Sequence, residues 1–379
     1  MVNYGELIGH LQSCEGPFGL LTMQATSTTG RLMERFPDRL KRLYSAEHGF
    51  FGAIAPGEKT RNSWHPFWNL PIYSLYGEHR KPTKEMLAGI SRMVVDLCDI
   101  GVRCYTYLAT LRNTLEACAE NGIAVTVLDR EIPMGGVLDG PMLEPSLESF
   151  VAPLNVPFCH GMTPGECALW IKREKALDLD LTVVRTIGWK HVCRFPWPNF
   201  IPPSPAIRSW DSAALYPMTV FTEAYPALDC DRAGSLAFRV IGAPWLDAKE
   251  FMAKLGGKLE SCGVEMRPYS YVPGSGRYAG ITLNGVLFSV PRPAAYYPVT
   301  AGVVVLDALL RDYGVYMAKD ARLEWLDKLY GTTEVRERAG RADLGPMFHR
   351  WLDAQTAYLA GKVDIYDTII PQGRIPKHE

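Results

Sequence analysis

Apolar positions in the first half of the chain alternate between two textures. Short continuous runs read as buried strands: Phe18 to Gln24, Leu40 to Ser45, Met93 to Leu97, Ile123 to Leu128 and Leu181 to Ile187. Between them the spacing turns helical. Lys84 to Ile90 is one such segment. Thr110 to Glu120 is another, with Leu111, Leu115 and Ala119 on one face and Gly122 just past its end. Thr163-Pro164-Gly165-Glu166 has the pattern of a capping box, which predicts a helix running to about Lys175. Strands alternating with helices predict βαβ units and a mostly parallel, Rossmann-like sheet.

The second half reads differently. Asp247 is placed to cap a helix reaching about Leu259. Val264 to Val272 and Ile281 to Val290 suggest an antiparallel pair, and Val299 to Leu310 and Leu344 to Leu359 suggest helices. The expected architecture is therefore α/β. A Rossmann-like domain over 1–220 precedes a smaller α+β domain over 221–379, with the boundary near 215–225 and a cleft between the two. Phe195 to Ile207 is too rich in proline and aromatics for a long helix or a central strand. It reads as an ordered binding loop or an interdomain crossing.

Composition narrows the class. The 379 residues are 47% hydrophobic and 21% charged, an ordinary globular balance. Lys plus Arg number 40 and Asp plus Glu 41, and no basic block stands out, which argues against a nucleic-acid partner. No apolar run approaches ~18 residues, so no membrane span is expected. The start, Met1 to Glu6, lacks the basic and apolar regions of a signal peptide, and the nine scattered cysteines form no Cys-x-x-Cys pair. Together these predict a cytoplasmic protein with reduced, mostly buried cysteines. The dinucleotide glycine fingerprint, the P-loop, His-Glu-x-x-His and Gly-x-Ser-x-Gly are all absent. Neither a cofactor nor a metal is expected, and the sequence leaves the oligomeric state open.

What chemistry remains lies at the strand ends. Glu47, Asp99 and Asp129 each follow a predicted strand, where ligands bind in open α/β sheets. Three acids there can converge on one cleft, or each can cap its own turn. Glu166 has the same two readings, a cap or a cleft residue. Carboxylates among Arg, Tyr and His are the equipment of acid–base catalysis or of polar-ligand binding.

An ordered series of short motifs carries a resemblance. It comprises Glu47-His48-Gly49 with Gly52, Ser74-Leu75-Tyr76-Gly77, and Asp99-Ile100-Gly101-Val102-Arg103 running into Tyr105-Thr106-Tyr107. Leu128-Asp129-Arg130, His160-Gly161-Met162-Thr163, Pro203-Ser204-Pro205 and Ile241-Gly242-Ala243-Pro244-Trp245 continue it. In order and spacing the series resembles the NamZ family of exo-β-N-acetylmuramidases, over roughly residues 18–300.

The resemblance implies a glycoside hydrolase that removes a terminal β-linked amino sugar from peptidoglycan fragments without metal or nucleotide. It places Glu47 as the acid/base residue and His48 as its orienting neighbour. Asp99, Arg103, Tyr105, Tyr107, Asp129, Arg130, His160, Glu166, Glu223 and Arg232 are candidate substrate contacts. Asp99 with Arg103 reads as an ion pair, and Arg232 as a fork for a carboxylate such as a lactyl group. The expected partner is a small-molecule or sugar substrate.

The chain also departs from the family pattern. Ala46 replaces a proline. Glu131-Ile132 and Ala206 stand where asparagines are usual, Met23-Gln24 replaces part of a Thr-Asn pair, and Cys230 replaces a second glutamate. Such changes allow two other readings: a repurposed relative acting on another small polar substrate in a biosynthetic pathway, or a non-catalytic sugar or metabolite binder.

Overall fold

The computed structural model describes residues 1–191 and 200–362. Seven strands build the first sheet: β1 (Phe18–Leu21), β2 (Leu40–Ser45), β3 (Ser63–Trp64), β4 (Pro71–Ser74), β5 (Arg92–Val95), β6 (Ala124–Leu128) and β7 (Leu181–Val184). Their spatial order is β3-β4-β2-β1-β5-β6-β7, and all pairings are parallel except that of the two-residue edge strand β3 with β4. The chain thus builds outward from β1 through β2 to β4, then returns to the other side of β1 with β5. The crevice of such a sheet opens beyond the carboxyl ends of β1 and β5.

All four residues of β1 are buried, as a strand covered on both faces requires. The helices over this sheet are α1 (Tyr4–Ser13), α2 (Thr28–Arg35), α3 (Lys84–Leu87), α4 (Tyr107–Glu120) and α5 (Pro164–Glu174). The capping box of α5 forms as its spacing predicts. Thr163 Oγ1 accepts from Glu166 N, and Glu166 Oε2 accepts from Thr163 N at 2.7 Å.

After α6 (Trp210–Thr219) the chain enters a three-stranded antiparallel sheet of β8 (Val240–Ala243), β9 (Glu265–Tyr271) and β10 (Leu283–Ser289), in the order β8-β10-β9. The predicted helix from Asp247 is interrupted. It divides into α7 (Ala248–Leu255) and α8 (Lys258–Ser261) because Gly256, at φ +51°, leaves helical geometry. Then follow α9 (Pro298–Ala318), α10 (Leu323–Tyr330), α11 (Glu334–Arg338) and α12 (Gly345–Lys362). Residues 215–224 lie in α6 and the 3-10 turn after it, and Tyr225 caps that turn. Of the proline-rich segment, residues 195–199 lie outside the described residues, as does Cys193. Among the described residues, eight cysteines are free thiols, and no helix is long and apolar enough to cross a membrane.

Buried polar ties join the two halves. Asp139, in the loop after β6, caps α9. Its Oδ2 accepts from Val299 N at 2.7 Å and Thr300 N at 2.9 Å, and its Oδ1 from Thr300 Oγ1 at 2.8 Å. On α12, Gln355 Nε2 donates to Gly140 O at 2.9 Å and Tyr358 Oη to His160 O at 3.1 Å.

Candidate active site

Glu47 leaves β2 into a loop that bends back on itself. His48 and Gly49 are both left-handed, with φ of +71° and +72°. His48 Nδ1 donates to Ile54 O at 2.8 Å, so the returning strand of the loop is pinned beneath the ring. That return delivers Gly57 N to Glu47 Oε1 at 2.8 Å. The other oxygen, Oε2, accepts from Thr106 Oγ1 at 2.5 Å. Thr106 is the N-cap of α4, so the carboxylate sits at the positive end of a 14-residue helix.

This carboxylate faces a cavity of about 180 Å³. Tyr76, Tyr105 and Tyr216 line it, together with Glu223, Arg232 and Trp325 from the second half of the chain. Glu223 Oε1 accepts from Arg232 Nη2 at 2.8 Å. Burial first, and the negative charge of Glu47 in addition, push the Glu223 carboxyl upward; Arg232 and Trp325 oppose the shift without cancelling it. Burial and then the Glu47 charge push the Tyr76 phenol up to about 12. Tyr105 packs edge-on against Tyr107 and Tyr216, with ring centroids 4.9 and 5.9 Å away, and burial pushes its phenol well up. The cavity therefore holds two carboxylates, one guanidinium and neutral phenols.

Of the residues singled out in the sequence, Glu47, His48, Tyr105, Glu223 and Arg232 come together here. The others do not join them. Asp129 is buried beneath α5, with Oδ2 accepting from Thr163 Oγ1 at 2.9 Å and Oδ1 from Gly165 N at 2.7 Å. A Cβ on Gly165 would stand 2.7 Å from that carboxyl carbon, so the close approach depends on glycine. Glu166 is likewise buried, in its capping box, with His191 Nε2 2.6 Å from Oε1. His160 is buried, its Nδ1 accepting from Met162 N at 3.2 Å. Tyr107 donates to Pro203 O at 2.6 Å.

The expected Asp99–Arg103 ion pair is absent. Arg103 is fully buried and donates to the carbonyls of Pro141 (2.9 Å), Val156 (2.7 Å) and Tyr330. Asp99 and Arg130 line a separate cavity beyond β5 and β6. The three strand-end acids do not converge because β2 and β6 are separated by β1 and β5 in the sheet. Sequence reading overlooked Thr106, Tyr76, Tyr216 and Trp325. The motif Tyr105-Thr106-Tyr107 marked the first of these, but nothing local signalled Tyr216 or Trp325.

Burial raises Asp99 to about 6 in the folded protein, above the usual ~3.9 of an unfolded chain. An acid raised on folding gives stability that is present below the unfolded value and lost as pH rises through the folded one. Thermal midpoints of the wild type are thus expected to carry a component falling between about pH 4 and pH 6. Asp99→Asn removes that component; an unchanged pH slope in the variant would refute it.

The molecule is a doubly wound α/β protein with a carboxylate-lined cavity at its strand ends, the position where sheets of this kind hold ligands. The chain belongs to the family of exo-β-N-acetylmuramidase NamZ: the family's N-terminal profile matches residues 18–211 and its C-terminal profile residues 214–363. It is similar to the peptidoglycan β-N-acetylmuramidase NamZ of Bacillus subtilis (strain 168), with 35% identity over 277 residues. That match covers 72% of this chain and 66% of the relative, just under two thirds of the relative's length. A DUF1343 family protein from Bacteroides fragilis has the same fold, with a TM-score of 0.86 and 28% identity, over 97% of this chain and 98% of the other. A second DUF1343 protein from that organism shares the fold at a TM-score of 0.71 and 23% identity, with 95% of each chain covered.

Proposed function

We propose that the chain is a glycoside hydrolase that removes a terminal β-linked N-acetylmuramic acid, or a close relative of that sugar, from peptidoglycan fragments. The observation that carries this reading is the placement of Glu47 and Glu223 on one small cavity in a member of this family. Glycoside cleavage uses one carboxyl to protonate the leaving oxygen and a second to stabilise or attack the sugar cation. Glu47, with both oxygens accepting hydrogen bonds, suits the anionic role. Glu223, pushed upward by burial, suits the acid. This divides between two residues the acid/base work expected of Glu47 alone. Arg232, bonded to Glu223, opposes that upward shift without cancelling it, and its remaining N–H groups are offered to an anionic substituent. A cavity of about 180 Å³ is too small for a sugar chain, in keeping with action on one end residue.

A second reading concerns the sugar's identity. Ala206 stands where the family pattern has an amide, and its methyl lines the cavity. The other departures lie elsewhere: Ile132 packs against Gly101, and Cys230 is buried with its thiol pushed up to about 12. One lost amide inside the cavity favours a sugar lacking one polar substituent.

The test is hydrolysis of chromogenic β-glycosides of N-acetylmuramic acid and N-acetylglucosamine by the purified chain. Release from the first alone is expected. Release from the second alone would move the assignment to a relative lacking the lactyl group, and release from neither, by folded protein, would overturn the hydrolase reading.

A further inference from the structure

The crevice predicted by the sheet topology is not the Glu47 cavity. It lies beyond the carboxyl ends of β1, β5 and β6 and has a volume of about 470 Å³, within the ~300–1,000 Å³ range of small-molecule sites. A common ridge separates the two cavities: Pro203, held by the Tyr107 hydroxyl, lines this one, and Ser204, the next residue, lines the other.

The floor of the crevice is rigid and internally neutral. Asp96, fully buried, holds Arg130 through Nε and, at 3.0 Å, through Nη2. The Tyr4 hydroxyl accepts from Arg130 Nη2 at 3.0 Å, fixing the third corner. At the rim Glu131 is paired with the amino terminus at 2.6 Å. Two charged groups on the lining then remain. Arg31 lies over the Tyr4 ring, 4.5 Å from its centroid, and forms no ion pair among the described residues. Asp99 accepts from Gly101 N at 2.8 Å through Oδ1 and has no cationic partner among the described residues. An unpaired guanidinium and an unpaired carboxylate on one crevice match a ligand with an anionic group and hydroxyl donors.

We infer that this crevice is a second ligand site, for a small hydroxylated anion whose carboxylate or phosphate meets Arg31 and whose hydroxyl meets Asp99. It stands whether or not the Glu47 cavity cleaves a glycoside.

The test is titration calorimetry of the full chain with three probes, none of them the sugar assigned to the Glu47 cavity: glucuronate, N-acetylglucosamine 6-phosphate and neutral N-acetylglucosamine. At least one anionic probe is expected to bind about tenfold or more tightly than the neutral sugar, with affinity falling as salt rises. Which anion binds distinguishes carboxylate from phosphate. Arg31→Gln, at an exposed position that leaves the fold intact, is expected to weaken the anion about tenfold, and Arg31→Lys to restore most of the loss. Glu47→Gln is expected to bind as the wild type does. The inference is overturned if neither anion binds, if the neutral sugar binds as well, if Arg31→Gln binds normally, or if Glu47→Gln abolishes binding.

Discussion

Glu47→Gln is expected to lower turnover of a β-linked muramoside by about 10²–10⁴-fold with little change in thermal midpoint. Glutamine keeps the shape of the side chain, and its carbonyl can still accept from Gly57 N and its amide reach Thr106 Oγ1. What disappears is the negative charge at the N-terminus of α4, where a developing sugar cation would be stabilised. Glu223→Gln separates the two roles. An acid matters most when the leaving group is poor, so this variant should lose far more activity on a natural disaccharide than on a nitrophenyl glycoside. Loss of both substrates in Glu47→Gln, with selective loss in Glu223→Gln, would support the division of labour proposed above. Full activity of Glu47→Gln would remove Glu47 from the chemistry.

Arg103→Met is expected to destabilise the fold by about 3–5 kcal/mol, read as a fall of roughly 5–10 °C in thermal midpoint. Arg103 is a buried cation with no carboxylate beside it among the described residues, and burial pushes its guanidinium down to about 10. Three main-chain carbonyls compensate it, from Pro141, Val156 and Tyr330. Methionine fills the space but leaves those oxygens without a donor. Lysine restores the charge but cannot fork to three acceptors, so Arg103→Lys should recover only part of the loss. The packing is close on this side: a Cβ on Gly331, whose φ is +65°, would lie 2.5 Å from Arg103 Nη2. A midpoint within a degree or two of wild type in Arg103→Met would show the carbonyl cluster to be dispensable.

The parallel sheet was legible because its strands are continuous apolar runs, which periodicity detects directly. The weaker members were not. Ser63–Trp64 is two exposed residues at an edge, and Pro71–Ser74 begins on a proline, so neither carries a strand signature. The capping box of α5 was legible because its logic is local, contained within the four residues Thr163 to Glu166. For Glu47 the strand end and the turn residues after it were enough. Asp129 looked identical at that level, and only the sheet order and the approach of Gly165 turn it inward to cap α5. Arg103 misled for the same reason: proximity in sequence suggested Asp99, whereas its acceptors include Tyr330, 227 residues away. Trp325 and Tyr216 reach the cavity by tertiary packing alone, which no spacing in one sequence encodes.

The ties from α12 back to the first sheet also set a clock on biosynthesis. Tyr358 donates to His160, 198 residues earlier in the chain. At ~5–20 residues per second of synthesis, about 10–40 s pass between emergence of the two partners. The loop that carries Asp139 and Gly140 meets α9 earlier, through Val299 and Thr300, so the tie at His160 O is among the last to close when the chain folds as it is made.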